Sequence, residues 1–141
     1  MRDFSTPRTY IVSAYLQGAS PVTNEQRHND LVCDAALEGF PFRECDGAYK
    51  GAHKRSLVVV GALAESFVRQ RALDYNQESF LCIAEHDLTA YFVNPHTNYH
   101  THAGKFVAHG PTKPDTEGWT LCDGIYYVIQ PTKGVDLPEG L

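Results

Sequence analysis

Three histidines crowd one short stretch, His96, His100 and His102 in HTNYHTH, with His109 a little further on. Imidazoles so close together can ligate zinc or another borderline metal if a hairpin folds them onto one point. No cysteine or carboxylate completes a recognised ligand pattern around them, so they read as a polar loop and no metal is assigned. A second group lies in ECDGAYKG, where Glu44 and Asp46 share one face of an extended segment and Tyr49 follows. Acids on an edge strand often serve solubility alone. Glu65 and Arg69 stand one helical turn apart, a spacing that commonly makes a surface ion pair worth only about 0.3–0.5 kcal/mol. The fourth group is Arg27-His28, near the start of a helix, where an anionic or polar ligand would meet both side chains and the free amides of the first turn. The plainer alternative is a satisfied core histidine beside an arginine that reaches out to solvent. Phosphate-binding and nucleophile-elbow signatures are missing: there is no GxGxxG, no GxxxxGK[ST] and no GxSxG.

The elements that must position these residues follow from periodicity. Residues 9–16 are apolar on both alternating sets, the pattern of a strand covered on both faces. Thr23 to Gln26 fits a capping box with Thr23 as N-cap, and the helix it opens ends near Gly39, with Pro41 beyond. His28, Leu31, Val32 and Ala35 fall on its inward stripe. Residues 42–49 read as a more polar edge strand in which Gly47 marks a bulge or bend, and residues 56–60 (SLVVV) as a central one. A second helix starts at Gly61, with Ala64, Val68, Ala72 and Tyr75 inward, and residues 79–85 form a fourth strand. The order β-α-β-β-α-β predicts an α+β, ferredoxin-like sandwich. Its fourth strand would be an apolar edge that needs covering, either by residues 88–93 or by another copy of the chain. Additional strands follow at 105–109 and 124–130, giving a flexible start at 1–8, a single domain over 9–130 and a tail over 131–141.

Composition narrows the function. A net charge of −5 over 141 residues argues against a general electrostatic grip on nucleic acid, and the basic run at 50–55 reads as a solvated loop. No apolar run is long enough to cross a bilayer, and the opening MRDFSTPR lacks the apolar core of a signal peptide, so a cytoplasmic location is expected. Cys33, Cys45, Cys82 and Cys122 are scattered without a CxxC pair and are expected as free thiols, Cys33 and Cys82 serving as small hydrophobes.

VSAY (residues 12–15), then RHxxxV (Arg27, His28, Val32), then an acidic strand closing in GxY (Gly47, Tyr49) resembles the phage-encoded S-adenosylmethionine lyases, long described as S-adenosylmethionine hydrolases. The resemblance implies a ferredoxin-like homotrimer with sites between subunits, needing no cofactor. It implies cleavage of S-adenosylmethionine to 5′-methylthioadenosine and homoserine lactone, and an anti-restriction role for a phage in its host. Carried over by motif, Ser13, Arg27, His28 and Glu44 become substrate-binding candidates, with Tyr15 as a further wall, and Tyr49 a catalytic one. Where acids are expected before the third strand this chain has Lys54 and Arg55, so Glu65, near the start of the second helix, is taken as the catalytic carboxylate. The rival readings are a trimeric binding module that senses a nucleotide or metabolite without transforming it, a true hydrolase giving homoserine, and an inhibitor docking by an apolar strand.

Overall fold

The computed structural model describes residues 8–131. Strand β1 (Arg8–Val12) is followed by helix α1 (Pro21–Glu38), strands β2 (Phe42–Tyr49) and β3 (Ala52–Val60), a 3-10 turn (Ala62–Ala64), helix α2 (Glu65–Asp74) and strand β4 (Phe80–Ala84). Strands β5 (Thr89–Val93), β6 (His100–Gly110), β7 (Trp119–Cys122) and β8 (Ile125–Gln130) complete the chain. Helix α1 starts earlier than the Thr23 capping box predicts. Ser20 is the N-cap, its Oγ accepting from the Thr23 amide at 3.1 Å, and Pro21 takes the first helical position, where its missing N–H costs nothing. The helix ends at Gly39 (φ 81°), whose amide donates to the Ala35 and Ala36 carbonyls. The register of β2 against β3 runs through Gly47 unbroken, so the bulge expected there is absent.

The ferredoxin-like sandwich is not what forms. The eight strands close into an antiparallel barrel in the order β1-β3-β2-β7-β8-β6-β5-β4, with β4 pairing back onto β1. The predicted β-α-β-β-α-β run occupies one arc of that ring, β4-β1-β3-β2, and β5 to β8 join its two ends. An open sheet would leave β2 and β4 as edges. Here β5 covers β4 and β7 covers β2, so β2 is not the edge strand its polarity suggests. Strand β7, four residues after a proline- and glycine-rich stretch, escapes sequence reading altogether. Gly104 sits at the irregular register of β6 with φ 138°, and a Cβ there would run into the Gln130 backbone carbonyl at the end of β8.

Both faces of β1 are buried, as its two apolar sets demand. Tyr10 and Val12 join Leu57, Leu31, Ala35, Val68 and Cys82 in the core between the wall and the two helices. Ile11 instead packs with Ile83, Ala90, Val58, Leu81 and Phe106, drawn from strands around the ring, which marks the lumen side. The expectation of free cysteines fails at one pair: Cys45 and Cys122 form a disulfide between β2 and β7, their Cα atoms 5.1 Å apart. Cys82 lies outside any disulfide and is buried, whereas Cys33, also outside one, is exposed and not a core residue. Among the described residues no helix is long and apolar enough to cross a membrane.

Candidate functional site

One mouth of the barrel holds a cavity of about 880 Å³, within the range of roughly 300–1,000 Å³ typical of small-molecule sites, which favour barrel mouths. Lumen-facing ends of strands and the loops after β1 and α2 build it. Ser13 turns the chain out of β1: its Oγ donates to the Arg55 carbonyl at 2.7 Å and accepts from the Tyr15 amide at 3.0 Å. Gln77 then ties the α2 loop to that segment, its Nε2 donating to the carbonyls of Tyr15 (2.8 Å) and Tyr75 (3.1 Å). Its Oε1 accepts from Lys54 Nζ at 3.1 Å. Tyr49, at the end of β2, packs on Phe92 with ring centres 6.0 Å apart. The ammonium groups of Lys50 and Lys54 lie 5.2 and 5.9 Å from the centre of the same Tyr49 ring. The mouth therefore joins an apolar, π-rich wall to a few fixed polar groups.

Behind Tyr15 runs a charged network. The Tyr15 hydroxyl donates to Glu25, Arg55 donates to Glu25 Oε1 (2.8 Å) and to Glu44 Oε1 (2.9 Å), and His28 Nε2 donates to the same Glu44 oxygen at 2.9 Å. His28 is fully buried, and its Nδ1 has no hydrogen-bond partner among the described residues. Burial, followed by the bond to Glu25, pushes the Tyr15 phenol up to about 12, so it stays a neutral donor near pH 7. The Tyr15 hydrogen bond, helped by Arg55, holds the Glu25 carboxyl below its ordinary value of 4.5. A carboxyl with a depressed folded-state pKa adds stability above its unfolded value, and that gain disappears as pH falls through the folded one. Glu25→Gln should therefore flatten the acid limb of a Tm-against-pH profile, most visibly below about pH 4.5; an acid limb identical to that of the parent would remove Glu25 from this role.

The sequence candidates divide. Ser13, Tyr15 and Tyr49 line the cavity, as do Lys54, Gln77 and Phe92. Arg27 is half-buried and does not line the cavity: its Nε donates to the Ala14 carbonyl (2.6 Å), a terminal nitrogen donates to the Tyr75 carbonyl, and its guanidinium covers the Tyr75 ring. His28 and Glu44 stand one layer behind the lining, joined to it through Arg55 and Glu25. Glu65 is buried at the start of α2 and does not line this mouth, while Arg69 donates to the Pro95 and His96 carbonyls. Asp46 pairs with His53 at 3.1 Å. Of the histidine run, His96 borders the cavity, but His100 and His102 lie beside the Tyr91 ring, and no group of three metal-ligating residues gathers among the described residues. Lys54 and Arg55, read in sequence as part of a solvated loop, belong to β3; the alternation from Val58 back through Ser56 to Lys54 was the signal that puts the lysine on the lumen side.

The family model for the S-Adenosylmethionine lyase family matches residues 10–130, nearly all of the described chain. The chain belongs to that family. No curated protein matches it. Membership names the chemistry coarsely, a lyase acting on S-adenosylmethionine as its small-molecule substrate. In this S-adenosylmethionine lyase family member, the matched span contains every strand of the barrel from Tyr10 onward, and with them all the residues named above as lining the mouth.

Proposed function

We propose that this lyase cleaves S-adenosyl-L-methionine to 5′-methylthioadenosine and L-homoserine lactone, with the substrate held in the barrel mouth. The observation that carries the reading is the Tyr49 ring, a π-face already shared by two ammonium groups in the cavity of a chain from this family. A sulfonium is a cation of the kind such a face attracts. The substrate's carboxylate oxygen forms a bond to the side-chain carbon next to sulfur; the carbon–sulfur bond breaks, and its electron pair stays on sulfur as a neutral thioether. Closing a five-membered ring within one molecule draws much of its rate from folding the chain correctly. Opposite charges disappear on the way to the transition state, so a partly dry, aromatic-walled site favours reaction over the solvated zwitterion. Ser13 and the neutral Tyr15 supply polar contacts at the wall, and Arg27, His28 and Glu44 brace the segment that carries Tyr15.

Glu65, the homotrimer with sites between subunits, the cytoplasmic location and the anti-restriction role rest on the resemblance or on composition, and belong to the same proposal. Glu65→Gln tests the first: turnover falling at least about tenfold with an unchanged Tm would admit it to the mechanism, and full activity would exclude it. Purified protein incubated with S-adenosylmethionine and followed by chromatography tests the whole. Methylthioadenosine with lactone at the earliest times is the expected result. Homoserine from the first time point would mean hydrolysis, binding without product a sensing module, and neither binding nor product would overturn the proposal.

A further inference from the structure

We propose that Lys54 is the substrate-carboxylate anchor of this site, the residue that selects for the amino-acid end of the molecule and turns it toward Tyr49. The inference rests on the lyase reading above and deepens it. Lys54 projects from β3 into the mouth, where its ammonium donates to Gln77 Oε1 at 3.1 Å and lies 5.9 Å from the Tyr49 ring centre. Gln77 is only 5% exposed, and its Nε2 is committed to two backbone carbonyls, so its oxygen is aimed at the lysine and cannot turn away. An ammonium carries three donors, and a neutral amide with a ring face compensates such a charge poorly when it is withdrawn from water.

Burial accordingly pushes the Lys54 pKa down, with the Glu78 carboxylate opposing through space. An incoming carboxylate would use the unspent donors and stabilise the charged form. At the usual ammonium–carboxylate distance of about 2.7–2.9 Å it would lie beside the Tyr49 face. The two ends that must meet for ring closure, the carboxylate and the carbon on sulfur, would then be held on one side of the cavity. A site built to pair a carboxylate also rejects a ligand that lacks one, because the half-buried lysine then keeps only the Gln77 oxygen, the Tyr49 face and the through-space Glu78 charge.

Binding of S-adenosylmethionine, read by rapid mixing before the first turnover, and of its decarboxylated analogue, each to the parent protein and to Lys54→Met, Lys54→Gln and Lys54→Arg, tests this. The parent should prefer S-adenosylmethionine. Lys54→Met and Lys54→Gln should each weaken it at least about tenfold while leaving the analogue's affinity unchanged or improved, and Lys54→Arg should recover most of the loss. Lys54→Gln keeps a donor for Gln77, so it reports on charge even if the methionine variant folds poorly. Equal weakening of both ligands would assign Lys54 to the wall alone, and no weakening of either would remove it from the site; both outcomes overturn the inference and leave the lyase reading standing. Failure of the parent to bind S-adenosylmethionine would overturn both.

Discussion

Tyr49→Ala is expected to lower kcat/KM for S-adenosylmethionine by about thirtyfold, the equivalent of a desolvated cation–π contact of about 2 kcal/mol. The ring forms one wall of the mouth, rests on Phe92, and already takes ammonium groups on its face. Removing it leaves the sulfonium against open space in the ground state. It also opens the cavity to water where charge is lost in the reaction. Tyr49→Phe preserves the face, so the difference between the two variants isolates the share owed to the phenol. Cooperative melting of both variants would confirm that a loss of rate is local. An alanine variant as fast as the parent would take Tyr49 out of the chemistry.

The second large effect concerns the frame of the site. Cys45→Ser combined with Cys122→Ser should destabilise the fold by about 4 kcal/mol, because the bridge closes a long loop and that closure restricts the unfolded chain. The two cysteines are 77 positions apart in the sequence. Strand β7 is the part most exposed to the change. It is four residues long and pairs with β2 at only three positions, yet it carries Trp119 and Thr120 into the mouth. Denaturant titration of the double variant, or of the parent with and without reductant, measures the loss. Superimposable curves would show that the bond adds nothing to the folded state.

Locally coded features of this protein are legible from its residues, and long-range ones are not. The end of α1 at Gly39 and the inward stripe that runs from Ala64, just before α2, through Val68 and Ala72 follow from helical spacing and glycine geometry. The start of α1 shifts from Thr23 to Ser20 because two capping residues compete within one turn, and the one followed by proline wins. Ring closure depends on which strand meets which across many residues, and the periodicity of β5 to β8 says nothing about partners. The same limit hides the Cys45–Cys122 pair. At the site, Ser13, Tyr15 and Tyr49 stand on the cavity, whereas Arg27 looks like a ligand-binding residue in sequence and turns out to bond backbone carbonyls. Lys54 escaped for the opposite reason: a run of basic residues resembles a surface loop unless its alternation along a strand is followed into the lumen.

The link between Cys45 and Cys122 also decides what a protease can accomplish. A single cut in the loop after α2, in the turn from β5 to β6, or anywhere else between those two residues yields fragments that remain one molecule until the sulfurs are reduced. On a gel such nicked material would run as a single band without reductant and as two with it.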